Sequence, residues 1–270
     1  MIELSNRLKA VADMVTIGSV VCDAGCDHGY VSIYLVQKNI CPHVIAMDIN
    51  QGPLLQAREH IADYGVDAYI ETRLSDGVEK LLPGEADCLI LAGMGGRLMM
   101  KILTEGKEKT DAMKELILQP QSEIGAVRQF LSEENWHICQ ENMVYEDGKY
   151  YPMMKVTRVS CEAVDDAARK SGAPHDGTVS DSQQDDIFII QAAYNRYGRL
   201  LLEERHPVLH RFLQWEQEQS GKIRKALEAQ DSADAEKDAR IQQRLETLKK
   251  DTLIREFALS FYAEEKQDAM

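Results

Sequence analysis

The sequence predicts an α/β domain built on a mostly parallel sheet, followed by a smaller helical domain. Three observations carry this. Short apolar runs alternate with amphipathic stretches through residues 1 to about 160, the pattern of βαβ units with right-handed crossovers. Two further runs, 136–145 and 149–159, meet at Glu146-Asp147-Gly148-Lys149, a hairpin turn that gives the sheet an antiparallel edge. From 161 onward the chain turns polar, charged and helix-favouring. The expected domains are therefore 1–160 and 161–270.

The elements follow in order. Leu4, Leu8, Val11, Ala12 and Val15 recur at helical spacing, with Ser5 as a cap. Residues 19–24 form an apolar run ending in an acidic, glycine-bearing turn, Gly25-Cys26-Asp27-His28-Gly29, and a helix starts near Tyr30. A second strand, 43–48, again ends in an acid and leads to a helix around 53–64. Residues 68–74 and 87–92 are the third and fourth strands, and the fourth stops at Gly93-Met94-Gly95-Gly96. A helix around 97–105, a fifth strand at 115–119 and a helix around 123–134 complete the series before the hairpin. Five βα units closed by a hairpin outline a Rossmann-like methyltransferase, because a dinucleotide dehydrogenase more often carries six parallel strands.

Residues 161–185 resemble a linker. Residues 186–204 are expected to be helical. Leu209, Leu213, Glu216, Ser220, Ile223 and Leu227, then Ile241, Leu245, Leu248 and Thr252, step by threes and fours around a break at 230–234. This spacing predicts an antiparallel two-helix coiled coil; a small helical bundle is the alternative.

Composition narrows the class. The 270 residues carry 31 Lys+Arg and 45 Asp+Glu, a net charge of -14, and neither half is basic. Excess acid counts against broad, salt-driven coating of nucleic acid but allows a local grip. No run reaches the roughly 20 apolar residues of a membrane span. The opening MIELSNRLKAVADMV is unlike a secretory signal, and six scattered cysteines without a CxxC do not form a disulfide framework. A reduced, cytoplasmic protein is expected. The cysteines and seven histidines show no metal-ligand spacing, so no metal is expected.

Candidate chemistry collects where strands end. Gly25 after a strand lets a ligand approach the backbone, and Asp23 can accept from an amino group. Asp27 is a poor neighbour for pyrophosphate, since like charges repel. The loop suits a phosphate-free cofactor such as S-adenosylmethionine; it equally suits a tight turn with Asp27 as a helix cap. His28 is as readily a structural histidine as a functional one. Asp48, ending the second strand, is placed for ribose hydroxyls, with Asn50 as the nearest cap. In Ser75-Asp76-Gly77 the acid can reach an adenine amine or form an Asx turn. Ala92, Gly93, Met94 and Gly95 leave an open backbone for a flat base, or serve as a helix entry. Gln119 and Pro120 end the fifth strand at the same edge.

The runs DAGCDHGY (23–30), AMDIN (46–50), LSDGVEKL (74–81), ILAGMGGRLMMKIL (90–103), LILQPQ (116–121) and EDGKYY (146–151) resemble the bacterial tRNA (adenine-N1)-methyltransferases that act at position 22 of tRNA. The resemblance covers residues 2–160. It implies a class I methyltransferase domain, S-adenosylmethionine as cofactor and tRNA as substrate. By motif, Asp23, Gly25, Asp27 and His28 line the cofactor loop and Asp48 holds the ribose. Asp76, with Gly77, sits by the adenine, and Ala92 to Gly95 flank the methyl-transfer site. Cys26 stands where Ser or Thr is expected, and Val31-Ser32 where Leu-Pro is expected, a change that can move the helix start. Asp27 and Met94 are the candidate catalytic residues, for charge stabilisation and alignment. Arg7, Arg97, Lys101, Gln119, Pro120, Arg196, Arg199, Arg205 and Arg211 are candidates for contacting tRNA; for the helical-domain arginines a solvated face is the alternative. A monomer is expected. The competing functions are methylation of a small molecule and a non-catalytic adapter.

Overall fold

The structure is a computed structural model that describes residues 1–158, 181–230 and 235–263. The chain divides into two compact units, Met1–Ala173 and Pro174–Met270. The expected boundary at 160 lies outside the described residues, as do Cys161, most of the expected linker and the break at 231–234.

The first unit is a seven-stranded sheet. Its strands are β1 (Val21–Ala24), β2 (Val44–Asp48), β3 (Ile70–Leu74), β4 (Cys88–Met94), β5 (Glu115–Pro120), β6 (His137–Glu146) and β7 (Lys149–Thr157). Their spatial order is β3-β2-β1-β4-β5-β7-β6. β1 to β5 run parallel, and β7 inserts antiparallel between β5 and β6. The hairpin was expected as an edge; its second strand is interior and its first forms the edge.

The intervening helices are α1 (Asn6–Ala12), α2 (Tyr30–Gln37), α3 (Gln51–Asp63), α4 (Gly96–Glu105), the short α5 (Lys107–Thr110) and α6 (Ile124–Glu133). α5 was not foreseen. Ser5 caps α1 as expected, its hydroxyl accepting from the Leu8 N–H. α2 starts at Tyr30 with Gly29 at its cap, so Ser32 does not move the start and Asp27 is not the cap.

Every residue of β1, β2 and β5 is buried, as a sheet covered on both faces requires. One core face gathers Val21, Ile33, Leu35, Val44 and Ile117; the other gathers Cys22, Ile45, Leu89, Met99, Leu116 and Leu131. Two ion pairs join the late elements to this frame. Arg128 of α6 meets Glu141 of β6 at 2.8 Å with both side chains buried. Lys155 of β7 meets Glu115 of β5 at 2.7 Å, and Thr16 donates to the same carboxylate through its N–H and hydroxyl. Burial pushes the Glu115 carboxyl up, but Lys155 and Thr16 outweigh it and hold it below the ordinary range.

The second unit contains α7 (Asp181–Tyr197), α8 (Arg199–Glu203), α9 (Pro207–Glu228) and α10 (Ala235–Ser260). Asp181 and Ser182 belong to a helix rather than the expected linker, and Gly198, at φ +95°, breaks the helix expected over 186–204. α9 packs on α10, and α10 also packs on α7, so the helices form a three-membered cluster rather than an isolated pair. Leu209, Leu213, Ile241 and Leu248 are buried as their spacing predicts, but Ile223 is exposed.

Removing one member of a buried ion pair strands the other charge. Arg128→Met is expected to cost about 3–5 kcal/mol in urea unfolding, and adding Glu141→Leu to recover most of it.

Candidate active site

The parallel strands end together, and the strand order turns at the β1–β4 pair, where α/β sheets bind ligands. The loop after β1 is shaped by three left-handed residues, Gly25 (φ +80°), Asp27 (φ +51°) and Gly29 (φ +74°). The Gly25 and Cys26 N–H groups both donate to the Met47 carbonyl, at 2.8 and 2.9 Å, which ties this loop to β2. A Cβ on Gly25 would lie 3.2 Å from the Met94 methyl. The β1 and β4 loops therefore touch, and Met94 reaches the loop after β1.

Asp48 is nearly buried. Its Oδ2 accepts from the Asp27 N–H at 3.2 Å and its Oδ1 from the Asn50 N–H at 2.8 Å. Asn50 occupies the cap position of α3 without a side-chain bond, so the acid expected to be free shapes both loops instead. Each oxygen retains a second lone pair for a hydroxyl donor. Beside it, Ile49 is 58% exposed and Leu74 is 52% exposed. Two large apolar side chains in water at adjoining strand ends offer a surface for a flat ring. Neither was singled out in the sequence; for Ile49 the available signal was an apolar residue directly after the strand-ending Asp48.

The Asp27 carboxylate is exposed, and the His28 ring stands 3.5 Å from it. The His28 carbonyl pairs with the His60 ring, and Tyr30 stacks on His60, so His28 is built into the rim between α2 and α3. After β3, the Ser75 hydroxyl accepts from the Lys80 N–H and donates to the Gly77 carbonyl, so Ser75 makes the turn and the Asp76 side chain stays exposed. A Cβ on Gly77 would fall 2.8 Å from Ile102, too close to tolerate.

At β4 the ladder to β5 slips at Gly93, between Ala92 and Met94. The slip puts Gly93 at φ +78° and lifts its N–H onto Gln119 Oε1 at 3.1 Å. Arg7 Nη1 donates to the same oxygen at 2.9 Å, and its guanidinium lies 5.2 Å from the centre of the Tyr151 ring. Gln119 is completely buried, and its amide nitrogen is turned to the Pro120 carbonyl. Buried in this way, it is a strut holding Arg7 against Gly93 rather than the tRNA contact expected from the sequence. Pro120 is buried as well, while Gln121 is exposed, with its N–H donating to the Met94 carbonyl. Gly95 passes close to Ser122, whose hydroxyl accepts from the Gly96 N–H.

Other candidate cations are less committed to this mouth. Arg97 is exposed and pairs with Glu123 at 2.7 Å; Lys101 stands 3.8 Å from Glu105. In the helical unit, Arg196 is bound by Glu216 and Asp251 in an internal network, which withdraws it from the expected tRNA surface. Arg199 pairs with Glu203. Arg205 and Arg211 are exposed.

The cofactor loop fits a compact, phosphate-free adenosine cofactor. Gly25 and Gly93 leave backbone open where side chains would intrude, Asp48 lies buried at the end of β2, and Ile49 and Leu74 are exposed at the neighbouring strand ends. A profile of the methyltransferase-domain family matches residues 4–154. The chain belongs to this methyltransferase family. The tRNA (adenine(22)-N(1))-methyltransferase of Bacillus subtilis is 37% identical over 153 residues, which are 57% of this chain and 64% of that protein. The match thus spans less than two thirds of that relative. The crystal structure of the B. subtilis M1A22 tRNA methyltransferase TrmK superposes with a TM-score of 0.74 at 28% identity, covering 96% of this chain and 100% of that one. A Streptococcus pneumoniae protein solved in complex with S-adenosyl-L-methionine gives 0.67 at 26% identity, covering 93% and 100%. The fold is that of a class I methyltransferase with a helical C-terminal unit. Among the described residues, no cluster of three His, Cys, Asp or Glu could hold a metal, and no helix is long and apolar enough to cross a membrane.

Asp23 is buried at the end of β1, and burial pushes its carboxyl up to about 6 despite a hydrogen bond from Ser32. A folded-state value above the unfolded one means the native chain holds the extra proton, so stability falls as pH rises from about 4 to about 6. Asp23→Asn removes that loss. It is expected to stabilise the protein by about 1–3 kcal/mol at pH 7 and by little at pH 4, read from urea unfolding at the two pH values.

Proposed function

We propose that this protein methylates N1 of adenine 22 in tRNA with S-adenosylmethionine as methyl donor. The observation that carries the reading is the contact of the Gly25 loop with Met94 across the β1–β4 crevice, beside an Asp48 carboxylate and an Arg7 fixed at Gly93. The cofactor supplies, when bound, a methyl group activated by its sulfonium.

N1 of adenine carries a lone pair at neutral pH, so no base is needed to remove a proton from it. The work of the chain is alignment and exclusion of water. Asp48 orients the ribose and Asp76 the adenine amine, while Gly93 and Gly95 let the target base approach. Met94 packs the gap between loops. The product ring is cationic, and Asp27, whose carboxylate is exposed at the mouth, counters that charge. The target base leaves its stack to enter. Arg7, held by Gln119 and Tyr151, meets the phosphate of that nucleotide, with Arg97 and Lys101 exchanging their present carboxylate partners for RNA. Arg199, Arg205 and Arg211 add backbone contacts from the helical unit. The protein acts as a cytoplasmic monomer on this reading.

Mass spectrometry of nucleosides decides it. A tRNA transcript incubated with the protein and S-adenosylmethionine is expected to gain 1-methyladenosine, and a transcript with guanine at position 22 to gain none. Methylation of a metabolite extract without tRNA would favour the small-molecule alternative. Arg7→Ala is expected to leave cofactor affinity within about twofold and to raise the KM for tRNA about tenfold, the loss of one charged contact of roughly 1.4 kcal/mol.

A further inference from the structure

Asp23 stands apart from the other acids of the site because it is the one driven deepest into the fold. It lies on β1 between Ala46 of β2 and Ile90 of β4, inside a strand whose every residue is buried. A carboxylate in such a place needs donors. It has one side-chain donor: the Ser32 hydroxyl, itself completely buried on the first turn of α2, gives a 2.7 Å hydrogen bond to Oδ2. The Ser32 backbone N–H adds to the same stabilisation. Among the described residues, no hydrogen bond reaches Asp23 Oδ1.

We infer that Ser32 is a positioning residue for the cofactor: it clamps one oxygen of Asp23 and so leaves the other for the ammonium group of an amino-acid-bearing ligand. The inference rests on the proposed use of S-adenosylmethionine, whose amino-acid end carries that ammonium. The alternative role for Ser32, a buried hydroxyl that merely completes packing, predicts no effect on ionisation.

The surroundings single out Asp23 as the titrating group. Asp48 at the end of β2 opposes a second negative charge. The thiols of Cys22 and Cys26 are pushed far up by burial and that of Cys41 to about 12, so they stay neutral. Ser32 and the start of α2 are the groups that favour the charged form. Proline at 32 would supply neither donor, and alanine only the N–H.

The test is the pH dependence of S-adenosylhomocysteine binding to the full chain, by isothermal titration between pH 5 and 7.5. The wild-type affinity is expected to rise with pH and level off above a midpoint near 6. Ser32→Ala is expected to move the midpoint up by about one unit, lowering affinity about tenfold at pH 5 but less than about twofold at pH 7.5. Ser32→Thr, which keeps the hydroxyl, restores the wild-type profile. Asp23→Asn binds weakly at every pH with no midpoint in this range. If Ser32→Ala does not fold, Ser32→Cys, a weaker donor, must show a smaller shift of the same sign. The proposal is overturned if Ser32→Ala weakens binding by the same factor at every pH, or if the wild-type profile is flat. A wild-type protein that binds no S-adenosylhomocysteine at any pH would instead bring down the cofactor reading itself.

Discussion

Two neighbouring backbone N–H groups, those of Gly25 and Cys26, converge on a single carbonyl, Met47, and the rest of the site hangs on that convergence. It fixes the β1 loop to the end of β2 without a side chain, which leaves the loop face open. The Asp27 N–H then reaches Asp48, and the Gly25 surface comes within contact of Met94. Cys26 contributes through its backbone N–H, which any residue but proline supplies, so it can occupy a position where a hydroxyl residue is expected. Its thiol is buried and neutral and takes no role that serine would take better.

The electrostatics run against stability. Asp23 and Asp48 are both buried acids at neighbouring strand ends, and burial pushes the Asp23 carboxyl up. A fold selected for stability alone would place neutral residues there. Local donors hold them there: the Ser32 hydroxyl for Asp23, and the Asp27 and Asn50 N–H groups for Asp48. The same economy appears at the other edge, where a buried glutamine amide is used up in holding one arginine and one glycine N–H.

Much of this was legible in the residues. β1, β2 and β5 were visible as apolar runs, because strands covered on both faces leave no polar alternation to confuse them. Ser5 was readable as a cap because capping is local. What escaped depended on partners distant in sequence. The Ser32–Asp23 bond joins a helix to a strand, and no spacing rule announces it. Gln119 looked available because it ends a strand at the ligand edge, yet packing buries it. Arg196 looked like part of a basic face, but Glu216 and Asp251, 20 and 55 residues away in sequence, claim it. Leu74 was read as the last residue of the third strand and Ile49 was not singled out; their exposure sets them apart from core.

The placement of β7 between β5 and β6 has a consequence for synthesis. The chain emerges from the ribosome in order, so the outer strand is made before the strand that joins it to the sheet. Until residues 149–157 are released, β5 has an open flank and β6 has nothing to pair with. A nascent chain halted before Thr157 would therefore expose an unfinished hydrophobic ladder, a natural substrate for chaperones. The polar His137, Gln140 and Asn142 along β6 then close the finished sheet with a border unattractive to further strands.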